Sequence, residues 1–144
     1  MKHALTLALF ALAAAPLSAD EALVDYVVEN AAAIPAPLVA WSGDAAKGRG
    51  VFERAGCADC HAAPGFDAAP NIGPALHDVG ARLTAGEIRL MIVDPRIALG
   101  ETDMPAYYAV GKIGEVEEAL VGRTRLPASD IEALVAWLSA ETGD

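Results

Sequence analysis

The 144-residue sequence is poor in several residues that common functions depend on. It has two cysteines and three histidines, and 10 Lys+Arg stand against 20 Asp+Glu, for a formal net charge of −10. The shortage of basic residues argues against nucleic acid or an anionic membrane as a partner, because both are negatively charged. The acidic surface suits docking to a basic patch on another protein, and it serves ordinary solubility equally well.

Both cysteines fall in one motif, Cys57-Ala58-Asp59-Cys60-His61. Two cysteines three apart, followed at once by histidine, are the attachment signature of c-type haem. Thiols about one helical turn apart can each add to one vinyl group of the porphyrin, while the histidine faces the iron. A thioredoxin-like dithiol would need a βαβ context, and a zinc site would need two more ligands at similar spacing. We therefore predict one covalent haem c, attached through Cys57 and Cys60.

The haem iron needs two axial ligands, and we assign His61 as the first. Outside the N-terminal apolar run, the candidates for the second are His77, Met91 and Met104. We expect His77 to be a surface residue and Met91 to be a core residue on an apolar helix face. Met104 lies in a loop far enough along the chain to reach the opposite haem face. Imidazole plus thioether is the usual electron-transfer pair, so we predict Met104 as the distal ligand.

Long apolar runs are missing after the first residues. The run from Ala4 to Ala15, interrupted by Thr6, is shorter than the about 20 residues that a helix needs to cross a bilayer. It follows a short basic start and precedes small residues typical of a cleavage region. We expect residues 1–19 to be a cleaved signal peptide, with a membrane anchor as the alternative. Export agrees with the haem motif, because c-type haem is attached outside the cytoplasm, and it predicts a periplasmic protein.

The rest of the chain predicts an all-α protein with an N-terminal extension. We expect residues 20–43 to contain a short amphipathic helix at 20–30 and a proline-rich stretch, which would be a solvated arm or a partner-binding element. The haem domain would cover residues 44–144. We predict a helix at 45–56 capped by Asp44, a helix at 83–93 with a capping box, and a helix from 127 to 142 capped by Ser129 or Asp130. The segment 96–108 is expected to be irregular, and 109–126 has no clear assignment.

Two contacts are expected within this domain. Gly48 leaves room for close helix packing, so Gly48 and Phe52 should pack against Leu134 and Trp137 and join the two ends of the domain. The Pro- and Gly-rich loop 62–76 should wrap the histidine side of the haem. In that loop, the carbonyl of Gly73 or Pro74 is the natural acceptor for the Nδ1 hydrogen of His61.

The arrangement of these motifs resembles a class I c-type cytochrome. The resemblance rests on Gly48-x-x-x-Phe52, Cys57 to His61, Gly73-Pro74-x-Leu76, Met104-Pro105 and Leu134-x-x-Trp137-Leu138. A narrower resemblance is to SoxX, the family of monohaem subunits of the SoxAX cytochromes of bacterial sulfur oxidation. It rests on Ile34-Pro35-Ala36-Pro37-Leu38, Asn71-Ile72-Gly73-Pro74-Ala75-Leu76, Arg89-Leu90, Val93-Asp94-Pro95 and Met104-Pro105-Ala106-Tyr107-Tyr108. The segment 112–125 does not match that family.

The narrower resemblance implies a periplasmic heterodimer with a SoxA cytochrome. In that complex, thiosulfate is oxidatively coupled to a cysteine of the SoxYZ carrier protein. The chain would then be the electron-transfer subunit of a thiosulfotransferase-type complex, with Cys57 and Cys60 in thioether links and His61 and Met104 on the iron. Two alternatives remain: a freely diffusing class I electron carrier, and a haem enzyme with substrate at an iron that lacks a firmly bound methionine.

Overall fold

The computed structural model describes residues 23–40, 43–67, 72–110 and 122–143. Five α-helices lie in these ranges: α1 Ala45–Arg54, α2 Val79–Arg82, α3 Ala85–Val93, α4 Arg96–Leu99 and α5 Ala128–Ser139. A 3₁₀ turn, Cys57–Asp59, follows α1. Strand-like pairing in the same ranges is limited to two isolated bridges, which confirms the all-α prediction. The predicted signal peptide and most of segment 109–126 lie outside the described residues.

The packing of α1 on α5 forms the centre of the core. A Cβ atom on Gly48 would overlap the carbonyl oxygen of Ala133 and would lie 2.6 Å from the Cβ atom of Trp137. One turn later, the ring of Phe52 meets that of Trp137 edge-on, with 5.0 Å between centroids. Leu134 is buried in the same core. The predicted packing of the first helix against the last is confirmed.

The N-termini of α1 and α3 have the caps that the sequence predicts. Asp44 Oδ1 accepts hydrogen bonds from the backbone N–H groups of Ala46 and Lys47, at 2.9 and 3.3 Å. Thr84 and Glu87 form a full capping box at α3, each side chain accepting from the backbone of the other. These bonds satisfy N–H groups that have no partner inside a helix.

The N-terminus of α5 differs from the prediction. The N-cap is Pro127, with no side-chain capping bond, so the assignment of Ser129 or Asp130 as the cap is wrong. Asp130 instead accepts from Lys47 and Arg54 of α1, both at 2.7 Å. Burial by itself would raise the pKa of Asp130, but the two cations hold that pKa below its usual range. The carboxylate joins α5 to α1 instead of capping its own helix.

The short helix α4 was not predicted. Pro95 ends α3, as expected, but its φ of −61° and ψ of −22° are already helical, so the chain enters α4 directly. Asp94 supports the start of α4 by accepting a hydrogen bond from the backbone N–H of Arg96 at 3.2 Å. Only the rest of segment 96–108, after Leu99, has the irregular structure that the sequence predicts.

The helix predicted over residues 20–30 is wrong in its described part, because residues 23–28 form no helix. Alternate side chains of this segment pack on the core, namely Val24, Tyr26 and Val28. Val27 between them is 74% exposed. The apolar pattern therefore has the period of two that an extended chain requires, not the helical period of 3.6. Tyr108 holds the segment, since its hydroxyl accepts from the N–H of Val24 at 2.9 Å.

A buried ion pair fastens the rest of the extension to the helices. Arg89 of α3 and Glu132 of α5 are 4% and 2% exposed, and two hydrogen bonds of 2.6 and 2.8 Å join them. Arg89 also donates to the carbonyl of Ile34 at 2.7 Å, and Glu132 accepts from the N–H of Leu38 at 2.9 Å. The stretch 34–38 is thus packed on the haem domain, and the reading as a solvated arm does not apply to it.

We expect Gly48→Ala to lower the free energy of unfolding by about 1–3 kcal/mol, because the added methyl group must push α1 away from α5. Chemical denaturation followed by circular dichroism measures the change. Gly50→Ala on the same helix is the matched control, since a Cβ atom there meets only the guanidinium of Arg54 at 3.8 Å. That control should be neutral or stabilise by up to about 1 kcal/mol. Equal destabilisation by both variants would contradict the packing argument.

Candidate haem site

The cysteine motif lies on a tight turn at the end of α1. Gly56 has φ of +76°, a conformation that favours glycine, and it directs the chain out of the helix. The carbonyl of Cys57 then accepts from the N–H groups of Cys60 and His61, at 3.2 and 2.9 Å. Both thiols are free and half-buried. The three motif side chains therefore share one short helical turn, as attachment to two vinyl groups of one porphyrin requires.

His61 is oriented as an axial ligand needs to be. Its Nδ1 lies 2.8 Å from the carbonyl oxygen of Pro74, which can only accept, so Nδ1 carries the hydrogen. The predicted acceptor was Gly73 or Pro74, and the structure selects Pro74. This tautomer leaves the lone pair of Nε2 available for a metal. The motif residues therefore fit a c-type haem.

Gly73 provides the space in which the imidazole lies. A Cβ atom there would be 2.5 Å from Cε1 and 2.6 Å from Nδ1 of His61, closer than van der Waals contact allows. The N–H of Gly73 also donates to the carbonyl of Cys60 at 2.9 Å. The loop is thus joined to the motif at the point where it passes the ring.

Further hydrogen bonds hold the histidine-side loop in place. The N–H of Leu76 donates to the carbonyl of Ala62 at 2.8 Å. Arg82 of α2 donates to the carbonyl of Ala75 at 2.9 Å and is paired with Asp78 at 2.9 Å. In its described residues, the loop therefore lies on the histidine side, as predicted from its composition.

Met104 lies half-buried in the irregular segment that follows α4, where its N–H donates to the hydroxyl of Thr102 at 3.2 Å. Further along this loop, the N–H of Tyr107 donates to the carbonyl of Ile92 at 3.1 Å, and the carbonyl of Tyr107 accepts from Leu126 at 3.0 Å. The methionine loop is therefore fastened to the end of α3. Ligation by Met104 itself stays a prediction.

The side chain of Tyr107 brings the methionine loop to the cysteine motif. Its hydroxyl donates to the carbonyl of Ala55 at 3.3 Å and lies beside the thiol of Cys57. Burial raises the pKa of the Cys57 thiol, although the nearby Tyr107 hydroxyl acts in the lowering direction. Burial, and then the neighbouring Cys57, also raise the pKa of Tyr107. Before haem is attached, both groups therefore keep their protons at neutral pH.

The other candidate ligands lie where the sequence suggests or near it. His77 is exposed, as expected, and lines a cavity of about 400 Å³ with Pro64 and residues 140–143. Met91 is half-buried on α3 rather than fully in the core. Among the described residues, no three His, Cys, Asp or Glu side chains form a cluster that could hold a metal ion.

Sequence reasoning missed the contact roles of two residues, Tyr107 and Glu132. Tyr107 belongs to the Met-Pro-Ala-Tyr-Tyr run, and its partner Ala55 lies 52 positions earlier in the chain. Glu132 lies among the apolar residues of α5, and its partner Arg89 is 43 positions away. A charged residue inside an apolar helix pattern was the one available signal for Glu132, and no local pattern existed for Tyr107.

The comparisons with known proteins agree with this geometry. The family model for cytochrome c matches residues 45–141, so the chain belongs to the cytochrome c family. Family membership brings one covalent haem c and electron transfer, as the motif predicts. Among curated proteins, no sequence matches significantly.

Among solved structures, the chain is similar to one in the crystal structure of SoxXA from P. pantotrophus. The TM-score is 0.68 and the identity 26%, and the match covers 85% of this chain and 98% of that chain. Together with the family match, this similarity supports a SoxX-type monohaem cytochrome and confirms the narrower resemblance.

We expect Gly73→Ala to disturb the setting of His61, because the new methyl group would displace the imidazole from its bond with Pro74. In haem-loaded protein, the ferric electron paramagnetic resonance spectrum should change its low-spin g-values or gain a high-spin signal. Gly100→Ala is the control, since a Cβ atom there meets nothing within 4 Å, although its φ of +73° adds some backbone strain. A spectrum of Gly73→Ala identical to wild type would show that the loop does not orient the ring.

Proposed function

We propose that this chain is the electron-transfer subunit of a SoxAX-type complex. Its single haem c would be attached through Cys57 and Cys60 and held axially by His61 and Met104. The observation that carries the proposal is the similarity to the SoxXA chain, which extends over 98% of that chain. The hydrogen bond from His61 to Pro74 adds local support, because it leaves Nε2 as the metal-binding nitrogen.

The two loops around the site support electron transfer rather than substrate binding at iron. The histidine loop is joined to the motif through Gly73, and the methionine loop is joined to it through Tyr107. With a protein ligand on each side, a bound haem would supply one-electron redox chemistry with no open position. The chain itself orients the imidazole and holds the methionine loop.

The sulfur chemistry would belong to the partner proteins. Cys57 and Cys60 are the only cysteines in the sequence, so haem attachment leaves no thiol for a reaction. We propose a heterodimer with a SoxA-type cytochrome, which oxidatively couples thiosulfate to a cysteine of a SoxYZ-type carrier. This chain would pass the released electrons to a downstream acceptor. Exposed apolar side chains are consistent with a partner that covers them, among them Val27, Ile72 and Leu99.

The proposed setting is the periplasm. Residues 1–19 would be removed as a signal peptide, leaving an extension at 20–43 before the haem domain at 44–144. The support is the apolar run at Ala4 to Ala15 followed by small residues. Within the described ranges, no helix is both long enough and apolar enough to cross a membrane.

We expect Met104→Ala to remove the methionine-ligated low-spin spectrum of the haem-loaded protein. The weak red absorption band of methionine-bound ferric haem should vanish, and the reduction potential should fall, because thioether ligation raises it. Met91→Ala is the matched control, since Met91 is half-buried on α3, and it should keep the band. A band that persists in Met104→Ala would contradict the ligand assignment.

Affinity purification from the native periplasm tests the proposed complex. We expect a second c-type cytochrome in stoichiometric amount, and electron transfer that depends on thiosulfate and on the carrier protein. N-terminal sequencing of the same material should show removal of residues 1–19. Recovery as a lone, fully redox-active monomer would not contradict the proposed haem ligands. It would replace the SoxAX assignment with a freely diffusing class I carrier.

A further inference from the structure

We propose that Tyr107 is a positioning residue, which holds the methionine loop against the haem-attachment turn through its hydroxyl bond to Ala55. The inference rests on the proposed ligation by Met104, because it concerns how that loop is kept in place. Ala55 is the C-cap of α1, two residues before Cys57. Tyr107 is three residues after Met104. The bond therefore joins the two sides of the proposed site almost directly.

The carbonyl of Ala55 is a suitable acceptor for this contact. Carbonyl groups at the end of an α-helix have no partner within the helix and carry the negative end of its dipole. The Tyr107 hydroxyl donates to this carbonyl at 3.3 Å. Its ring is half-buried and packs against the core, near the Cys57 side chain. The ring packs against the core, and the hydroxyl makes the hydrogen bond to Ala55. A variant that removes the hydroxyl and keeps the ring therefore separates these two roles.

The backbone hydrogen bonds of the methionine loop do not connect it to the attachment turn. The N–H of Tyr107 is bonded to Ile92, and its carbonyl to Leu126, so both bonds fasten the loop to the end of α3 and to the approach to α5. Among the hydrogen bonds of the described residues, the one from the Tyr107 side chain links this loop to the turn that bears the cysteines. Its loss would let the loop open without releasing it from the core.

The neighbouring Tyr108 offers a matched control. Its hydroxyl also bonds to a backbone group, but that group is the N–H of Val24 in the N-terminal extension. Tyr107→Phe and Tyr108→Phe thus each remove one hydroxyl bond from the same loop and keep the ring. Only the first variant cuts the link to the attachment turn.

The test is competition between exogenous imidazole and the methionine ligand in ferric, haem-loaded protein. Titration is followed by loss of the red band of methionine-bound haem. Imidazole replaces the methionine more readily when the methionine loop opens more easily. Tyr107→Phe should therefore bind imidazole about fivefold more tightly than wild type, a difference in binding free energy of about 1 kcal/mol. Tyr108→Phe should stay within about twofold of wild type. Chemical denaturation of both variants compares their overall stability.

Four outcomes are distinguished. A tighter Kd in Tyr107→Phe alone, with similar unfolding midpoints for the two variants, supports the proposal. Equal Kd values in all three proteins overturn it. Equal tightening in both variants also overturns it, because general loosening of the loop would then explain the effect. If wild type lacks the methionine band, ligation by Met104 fails and this inference fails with it, whereas a band present with unchanged affinity removes only the role of Tyr107.

Discussion

The close approach of α1 to α5 places the cysteine motif, because the motif follows directly from the end of α1. Gly48 lets the two backbones come within reach, and Phe52 and Trp137 fill the space beyond it. Asp130 adds a charged link by accepting from Lys47 and Arg54 on α1. A helix held along its length presents a fixed end. The turn at Cys57–Asp59 therefore starts from a rigid support, as a covalently attached group of fixed size requires.

From that turn, the two loops are built in different ways. The histidine loop is held by backbone bonds at Gly73 and Leu76 and by the contact of His61 with Pro74. The methionine loop has its backbone bonds on the core side and reaches the turn through a side chain, that of Tyr107. A single hydroxyl bond contributes about 1 kcal/mol, so the methionine side is the more easily opened of the two.

The buried ion pair of Arg89 and Glu132 binds the N-terminal segment to the helices. Removing two charges from water is costly, and the cost is offset only when every donor and acceptor is satisfied. Here the backbone groups of Ile34 and Leu38 complete the set, so the extension supplies bonds that the helices alone would lack. The stretch 34–38 is thereby a structural part of the domain. Through the bond between Val24 and Tyr108, the extension also contacts the methionine loop.

The sequence predicts the helix caps correctly because a cap depends on interactions within one turn. The caps at Asp44 and Thr84 follow from residue type and spacing within one turn, and the helices they begin appear as expected. The two wrong predictions, the helix at 20–30 and the α5 cap, concern residues whose sequence fits more than one structure. Leu23, Tyr26 and Val27 have the spacing of a helix face, but the structure packs alternate residues of 23–28 on the core instead. Asp130 could cap α5 or pair with α1. It pairs with two cations of α1, a helix far away in the chain but packed against α5.

The sequence by itself determined the cofactor, because covalent attachment of haem needs two thiols and an imidazole at a spacing that five adjacent residues contain completely. It also indicated the helical class and the pairing of the first helix with the last, since glycine and aromatic positions report packing directly. Only the tertiary structure decided which carbonyl orients His61, how the extension is bound, and that Tyr107 reaches Ala55. Those contacts join residues far apart in the chain, and their partners are chosen by the geometry of packing rather than by any pattern within a single segment.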